Sequence, residues 1–195
     1  MQRTSTRNRF TKETRITATI TLEGSGDADV TTGIGFFDHM LTLFAVHGFF
    51  DLKLEAVGDL EVDAHHTVED VGLVLGDALD DALGDRAGIC RYGHAVVPMD
   101  DALAEVTVDL SRRPFLVYRL PTLPPGGSVL DSGLAKEFFR ALAVKGGMNL
   151  HITVPYGENE HHVLEAVFKA LARALGAAVS LNSRIHGPLS SKGAL

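Results

Sequence analysis

The sequence predicts an α+β protein in which two duplicated halves form two sheets packed on helices around one core. The main observation is an internal repeat, because residues 48–79 and residues 146–175 follow the same plan. Each tract runs from glycine through a strand-like segment and a loop to His-His-x-x-Glu at the start of a long helix. The chain has 195 residues and is 45% hydrophobic, which is enough for a sizeable core. We therefore divide it into a first half at residues 1–90 and a second half at residues 91–195, which together form one compact unit.

The period of the apolar residues predicts two strands and two helices in the first half. Alternating apolar residues and threonines at residues 15–23 are typical of a half-buried strand. Apolar residues from Val68 to Leu83 recur at steps of three and four, which indicates one face of a helix that Gly84 ends. The predicted elements are a strand at 15–23, a helix at 37–46, a strand at 51–56 and a helix at 64–83.

The second half is predicted to repeat this order of elements. Residues 150–154 alternate as a strand does, and residues 160–175 have the apolar stripe of an amphipathic helix. The predicted elements are a strand at 103–110, a loop at 121–127, a helix at 134–144, a strand at 150–154, a helix at 160–175 and a loop-like tail at 182–195.

Composition and charge limit the classes of function. The net charge of -7 at pH 7 argues against binding nucleic acid or an anionic membrane surface, because both need positive charge on the protein. No segment approaches the roughly 18 apolar residues of a membrane span, and the polar N-terminus lacks the apolar core of an export signal. The single cysteine, Cys90, is typical of a reducing compartment. These observations predict a cytoplasmic protein.

The repeated His-His-x-x-Glu motif predicts a metal centre. On a helix, the first histidine and the glutamate are four residues apart and share one face, so both can bind one ion. The pairs are His65 with Glu69 and His161 with Glu165. The second histidines, His66 and His162, leave the helix at about 100° to their neighbours and serve different partners. Two copies of the motif therefore predict two metal ions rather than one crowded ion.

His39 and Glu137 are further candidate ligands, because they occupy corresponding places in the repeat, each beside a Phe-Phe pair. Imidazole and carboxylate donors without thiolate suit an octahedral ion, and manganese is our first choice. A single adjacent histidine pair is more often a solvated helix start than a ligand set. Its recurrence with the same spacing, in a chain with nine histidines, favours metal binding.

Basic residues and a serine-containing tail are candidates for binding an anion. Arginine forks, or a lysine beside hydroxyl groups, can hold a phosphate, although each such residue taken singly is more often a solvated surface charge. The candidates are Arg91, Arg113, Lys169, Ser190, Ser191 and Lys192.

Two other classes of function use similar groups. A binuclear hydrolase of phosphate esters would need two metals and cationic residues, but aspartates are expected to dominate its site. A metal-buffering or metal-sensing oligomer would leave the phosphate-binding positions idle. Binding of a phosphate ester to the metal-loaded protein distinguishes these alternatives.

Six ordered motifs resemble the imidazoleglycerol-phosphate dehydratase family nearly from end to end. The motifs are FFDHML at 36–41, AHHTVED at 64–70, RYG with PMDDAL between 91 and 103, DLSRRP at 109–114, HHVLEAVFKALARAL at 161–175 and SSKGAL at 190–195. The resemblance implies a lyase that dehydrates imidazole glycerol phosphate to imidazole acetol phosphate in histidine biosynthesis. It implies two Mn²⁺ per active site, which stabilise the substrate ring as an imidazolate.

The resemblance also implies the architecture and the assembly. The expected fold is ribosomal protein S5 domain 2-like, with helices packed between two four-stranded sheets. The expected assembly is a homo-oligomer of 24 subunits built from trimers, with active sites at subunit interfaces. Its expected small-molecule partner is the phosphate substrate.

Individual roles follow from the same resemblance. The implied metal ligands are His39, His65, His66, Glu69, Glu137, His161, His162 and Glu165. At Glu137 the family commonly has histidine, and glutamate remains a competent oxygen donor. The implied substrate-binding residues are Glu13, Arg91, Arg113, Lys169, Ser190, Ser191 and Lys192. Glu13 is the candidate for proton transfer, and Glu69 and Glu165 are candidates for shuttling protons as well as binding metal.

Overall fold

The computed structural model describes residues 2–123 and 127–193, which contain eight strands and four helices. The strands are β1 (Thr4–Phe10), β2 (Thr14–Thr21), β3 (Ala28–Thr31), β4 (Asp51–Gly58), β5 (Tyr92–Met99), β6 (Ala102–Asp109), β7 (Phe115–Arg119) and β8 (Asn149–Tyr156). The helices are α1 (Gly35–Gly48), α2 (His65–Leu83), α3 (Ser132–Lys145) and α4 (Glu160–Val179). Both halves therefore follow one order: three strands, a helix, a strand and a helix.

Each half builds one mixed four-stranded sheet. The strand order is β1-β2-β4-β3 in the first sheet and β5-β6-β8-β7 in the second. Two pairs of neighbours are parallel, β3 with β4 and β7 with β8, and the others are antiparallel. The connection between each parallel pair runs through a helix, α1 or α3, as parallel pairing requires. The predicted α+β fold with two four-stranded sheets is confirmed.

The four helices lie between the two sheets. The first sheet contacts α1 and α2, the second sheet contacts α3 and α4, and the layers meet where α1 packs on α4 and α2 packs on α3. The buried rings of Phe37, Phe138 and Phe168 join α1, α3 and α4; the Phe138 centroid lies 5.3 Å from that of Phe37 and 5.5 Å from that of Phe168. Aromatic pairs at these separations add to the hydrophobic stabilisation of the core. No helix among the described residues is long and apolar enough to cross a bilayer.

The four helices and the two inner strands of each sheet lie where the apolar periodicity predicts them. The helix predicted at 64–83 is α2, and α4 extends to Val179, past the predicted end at residue 175. The tail at 182–193 forms no helix or strand segment, as expected. Of the predicted loop at 121–127, residues 124–126 lie outside the described residues, as do residues 194–195 of the tail.

The four strands without a sequence prediction, β1, β3, β5 and β7, are the edge strands of the two sheets. Their residues lack the apolar alternation that marks a half-buried strand. In β1 only Ser5 is buried, and β3 and β7 bury no residue fully. The buried positions of β5 are Gly93 and Ala95, which are too small to give a hydrophobic signal.

Gly93 allows β5 to lie directly on α4. A Cβ atom at this position would overlap the main-chain carbonyl oxygen of Ala174. We expect Gly93→Ala to destabilise the chain by about 1–3 kcal/mol, which corresponds to roughly 2–4 °C in Tm per kcal/mol for a protein of this size. Thermal unfolding measures the shift. The matched control is Gly35→Ala, because a Cβ there meets no atom within 4 Å. Equal Tm values for the two variants would contradict the close packing of β5 on α4.

Candidate metal centre

Two helices from different halves bring three predicted ligands together. His39 lies on α1, whereas His161 and Glu165 lie in the first turns of α4. The Oε2 atom of Glu165 is 3.2 Å from Nε2 of His161 and 3.8 Å from Nε2 of His39. One donor atom from each of the three side chains lies within 4.8 Å of the other two. Two imidazoles and a carboxylate at this spacing can converge on a single cation.

The carboxylate of Glu165 is ionised by its neighbours although it is nearly buried. Its side chain is 10% exposed, and Oε1 accepts a hydrogen bond from Nζ of Lys169 at 2.6 Å. Burial raises the pKa of Glu165, but the hydrogen bond and charge of Lys169, together with His39 and His161, leave that pKa below its usual value. The cluster is therefore anionic at the oxygen that a cation would contact.

The motif of the first half has the helical geometry that its spacing predicts. On α2, Nε2 of His65 lies 3.4 Å from Oε2 of Glu69. This pair and the corresponding pair on α4 confirm that the first histidine and the glutamate of each motif share a helix face. Both side chains on α2 are roughly half exposed, so the pair is open to solvent or to another molecule.

The second histidine of each motif is held by an aspartate. Nδ1 of His66 lies 3.1 Å from both carboxylate oxygens of Asp59, and Nδ1 of His162 lies 2.5 Å from Oδ1 of Asp101. These hydrogen bonds are the largest cause of the raised pKa values of the two histidines. When Nδ1 donates its proton to a carboxylate, Nε2 is left as the ligand atom of the ring. Sequence reasoning missed both aspartates, although a carboxylate partner is common for a metal-binding histidine.

Asp101 also fixes the start of α4. Its Oδ2 atom accepts hydrogen bonds from the main-chain N–H groups of Glu158 and Asn159, at 2.6 and 3.0 Å. The hydrogen bond from His162 and these two amides hold the pKa of Asp101 well below its usual value. The turn between β5 and β6 is thereby joined to the helix that carries the second motif.

Glu137 faces the motif of the opposite half. It lies on α3 and lines an open cavity of about 950 Å³ together with His65, Asp63 and Phe36. Its Oε2 atom is 2.7 Å from Nη1 of Arg140. The sequence repeat left open which motif His39 and Glu137 would join. In the fold, α1 packs on α4 and α3 packs on α2, so each places its candidate ligand near the motif of the other half.

The eight predicted ligands do not form two complete sites within one chain. Among the described residues, His39, His161 and Glu165 form the one cluster of three or more such groups close enough to hold an ion. The other five predicted ligands lie elsewhere: His65, His66 and Glu69 on α2, Glu137 on α3 and His162 on α4.

The predicted anion-binding residues fall into separate groups. Arg91, Ser190 and Ser191 line a cavity of about 700 Å³, which Arg184 and His186 also line. Sequence reasoning assigned no role to these last two residues, because neither stands in a repeated motif. The remaining predicted residues lie elsewhere: Lys169 beside Glu165, Arg113 exposed after β6, Lys192 exposed in the tail and Glu13 exposed between β1 and β2.

Arg91 connects the tail to the second sheet. Its Nε and Nη2 atoms donate to the two oxygens of Asp109, at 2.7 and 3.1 Å, and Nη1 donates to the carbonyl oxygen of Leu189 at 2.6 Å. A guanidinium has five N–H groups, so one hydrogen on each Nη atom remains for a ligand. Arg91 therefore positions the residue before Ser190 and retains two donors for an anion.

The fold and the repeated motifs define a duplicated α+β protein with a histidine–glutamate pair in the first turns of α2 and of α4. The family model described as imidazoleglycerol-phosphate dehydratase matches residues 32–175. The chain belongs to this family, and it is a dehydratase of the hydro-lyase class. The family resemblance noted in the sequence is confirmed.

Relatives match the whole chain. An imidazoleglycerol-phosphate dehydratase from Desulfosudis oleivorans is 58% identical over 195 residues, which is 100% of both chains. One from Syntrophobacter fumaroxidans is 59% identical over 194 residues, covering 100% of this chain and 98% of the relative.

Two solved structures have the same fold. The imidazoleglycerol-phosphate dehydratase of Staphylococcus aureus is 37% identical with a TM-score of 0.81, covering 92% of this chain and 99% of that one. The enzyme of Pyrococcus furiosus, solved in complex with (S)-C348, is 37% identical with a TM-score of 0.84, covering 96% of this chain and 99% of that one.

Replacing Arg91 should loosen the tail. Hydrogen bonds from a charged group contribute about 1.5–3 kcal/mol, so Arg91→Gln should raise amide exchange in residues 188–193 by roughly tenfold or more. Residues 180–182 should change less, because main-chain hydrogen bonds from Cys90 to Ser180 and from Asn182 to Gly88 remain. Hydrogen-exchange mass spectrometry measures both segments, with the exposed Arg119→Gln as control. Unchanged exchange after residue 187 would rule out this role of Arg91.

Proposed function

We propose that the chain dehydrates imidazole glycerol phosphate to imidazole acetol phosphate with two Mn²⁺ ions per active site. Family membership supports the reaction, and the relatives that match the full chain carry the name of that enzyme. The observation that carries the metal part of the proposal is the convergence of His39, His161 and Glu165, with donor atoms within 4.8 Å of one another. The chain thus acts in histidine biosynthesis, and we place it in the cytoplasm.

The donor set fits Mn²⁺. Imidazole nitrogens and carboxylate oxygens without thiolate suit an octahedral first-row ion better than tetrahedral zinc. The ionised Glu165 supplies negative charge, and Asp59 and Asp101 orient the second histidines so that Nε2 is available. When bound, the ions would supply Lewis acidity that stabilises negative charge on the imidazole ring of the substrate.

That stabilisation answers a chemical need of the reaction. The carbon that loses its proton has no adjacent carbonyl group, so the imidazole ring is the available electron sink. Removal of the proton and departure of hydroxide give an enol, which becomes the ketone of the product. We assign the proton transfer to the carboxylate of Glu13, which is exposed on the turn between β1 and β2. Glu69 and Glu165 would assist as ligands that also accept a proton.

The phosphate of the substrate would be held by the basic residues. Arg91 keeps two free N–H donors beside Ser190 and Ser191, and Lys169 stands next to Glu165. Arg113 and Lys192 are exposed and would complete the anion site. Binding of this remote group would fix the imidazole ring against the metal ligands and lower the entropic cost of reaction.

We further propose a homo-oligomer of 24 subunits built from trimers, in which neighbouring subunits complete each active site. The dispersal of the predicted ligands and phosphate-binding residues within one chain supports this arrangement. Large apolar side chains at the surface also support it, because such groups commonly mark contacts between proteins. They include Phe10, Phe49 and Phe115, which are 69%, 65% and 60% exposed.

Removal and return of metal tests the proposed function. Protein stripped with a chelator should form no imidazole acetol phosphate, and added Mn²⁺ should restore turnover, because the ring cannot otherwise accept the electron pair. His161→Gln should lower Mn²⁺ content and turnover together. The exposed His151→Gln on β8 is the matched control and should retain both. Full turnover in the stripped protein would exclude the metal mechanism, and metal binding without turnover would exclude the reaction.

A second test concerns Glu13. Glu13→Gln keeps the size of the side chain but removes its base, so kcat should fall by about 10²–10⁴-fold. Mn²⁺ content should not change, because the residue is not among the proposed ligands. Steady-state kinetics and metal analysis measure the two effects, with the exposed Glu55→Gln on β4 as control. A kcat equal to that of the unmodified chain would remove Glu13 from the mechanism.

A further inference from the structure

The turn that carries Glu13 is ordered by its own threonine. The hydroxyl oxygen of Thr11 accepts hydrogen bonds from the main-chain N–H groups of Glu13 and Thr14, at 3.1 and 2.9 Å. The N–H of Thr11 donates to the carbonyl oxygen of Thr14 at 2.9 Å. These bonds give the turn a defined shape, but they do not fix its position relative to the metal-binding helices.

A buried carboxylate on α2 joins the end of the hairpin to that helix. Asp70 follows Glu69 directly and is 7% exposed. Its Oδ2 atom accepts a hydrogen bond from the hydroxyl of Thr14 at 2.5 Å, and Thr14 is 2% exposed. Its Oδ1 atom lies 2.8 Å from Nε of Arg9 on β1. One side chain of α2 thus holds both strands of the hairpin, on either side of Glu13.

A second connection joins the same turn to His66. The N–H of Asp59 donates to the carbonyl oxygen of Glu13 at 3.1 Å, and the carboxylate of Asp59 accepts the hydrogen bond from Nδ1 of His66. Gly58 allows this close approach, because a Cβ at that position would overlap Oγ1 of Thr67 on α2. The backbone of Glu13 is therefore connected to a metal-binding candidate through a single residue.

The duplicated half shows that the fold itself does not need a carboxylate at this place. In the repeat, Glu69 corresponds to Glu165, so the position of Asp70 is taken by Ala166, which is fully buried. The second half builds the same sheet and helix order with that alanine. Burial of an ionised side chain is costly unless it is paired and hydrogen-bonded. The buried carboxylate in the first half therefore points to a role beyond folding.

We propose that Asp70 is a positioning residue that sets the carboxylate of Glu13 at a fixed place beside the metal-binding face of α2. The inference rests on the proposed function, because Glu13 has a catalytic role only there. Asp70 acts through Thr14 and Arg9 and does not itself touch the substrate. Without this connection, the strands would stay in the sheet, but the turn at residues 11–14 would be held less tightly over α2.

Substitution of the two hydrogen-bonded partners tests the proposal. Thr14→Val removes the hydroxyl that bonds Asp70, Thr14→Ser retains it, and Asp70→Asn removes the charge. The matched control is Thr6→Val, which breaks the exposed hydroxyl contact between Thr6 and Thr19 on the same hairpin. We expect Thr14→Val and Asp70→Asn to lower kcat by roughly tenfold or more, with KM within about twofold. Thr14→Ser and Thr6→Val should leave kcat nearly unchanged.

Two further measurements separate positioning from a general loss of structure. Hydrogen exchange should rise in residues 11–14 of Asp70→Asn and Thr14→Val, whereas exchange in α2 and Mn²⁺ content should not change. In a Glu13→Gln background, Asp70→Asn should cause no further loss of kcat, because a residue that acts through Glu13 loses its effect when Glu13 is replaced.

The outcomes distinguish this inference from the proposed function. A full additional loss of kcat in the Glu13→Gln background, or unchanged exchange at residues 11–14, would overturn the positioning role while the dehydratase proposal stands. Absence of turnover by the unmodified, Mn²⁺-loaded chain would overturn the proposed function itself. In that case the exchange measurement still decides whether Asp70 holds the turn.

Discussion

The packing of α1 on α4, and of α2 on α3, is the contact on which the rest of the structure depends. It closes the core between the two sheets through buried phenylalanine rings. It also carries His39 from the first half to the motif of the second half, and Glu137 to the cavity beside His65. Stability and the candidate metal centre thus share one interface. A change that shifts α1 against α4 alters both the core and the distances among the ligands.

Charged side chains near this interface hold predicted metal ligands on α2 and α4. Lys169 keeps the nearly buried Glu165 ionised, and Asp59 and Asp101 each hold one histidine by Nδ1. These contacts place an anionic oxygen at Glu165 and orient the rings of His66 and His162 through Nδ1. Side chains that are already oriented lower the reorganisation that metal binding would need.

The two halves keep one fold but use it differently. In the second half, Asp101 lies in the turn between β5 and β6 and bonds Nδ1 of His162 directly. In the first half the equivalent turn carries Glu13 and is joined to α2 through Asp70 and Asp59. The two halves thus share one fold but differ in the polar residues that contact each hairpin turn.

The sequence by itself determined the duplication, the four helices, the inner strands and the helical face that each histidine shares with its glutamate. These features follow from local periodicity, because a buried helix face or inner strand repeats its apolar residues at a fixed interval. The resemblance of its motifs to one family also came from the sequence alone. The edge strands did not, since they bury too few large side chains to leave a pattern.

Only the tertiary structure decided that His39 joins the second motif and that Glu137 faces the first. The same holds for the contacts of Asp59 and Asp101 with the second histidines, and of Asp70 with Thr14 and Arg9. These pairings connect residues distant in sequence, and no spacing along the chain records which helix packs against which. The physical reason is that periodicity reports whether a side chain is covered, whereas the identity of the covering partner depends on the packing of the whole core.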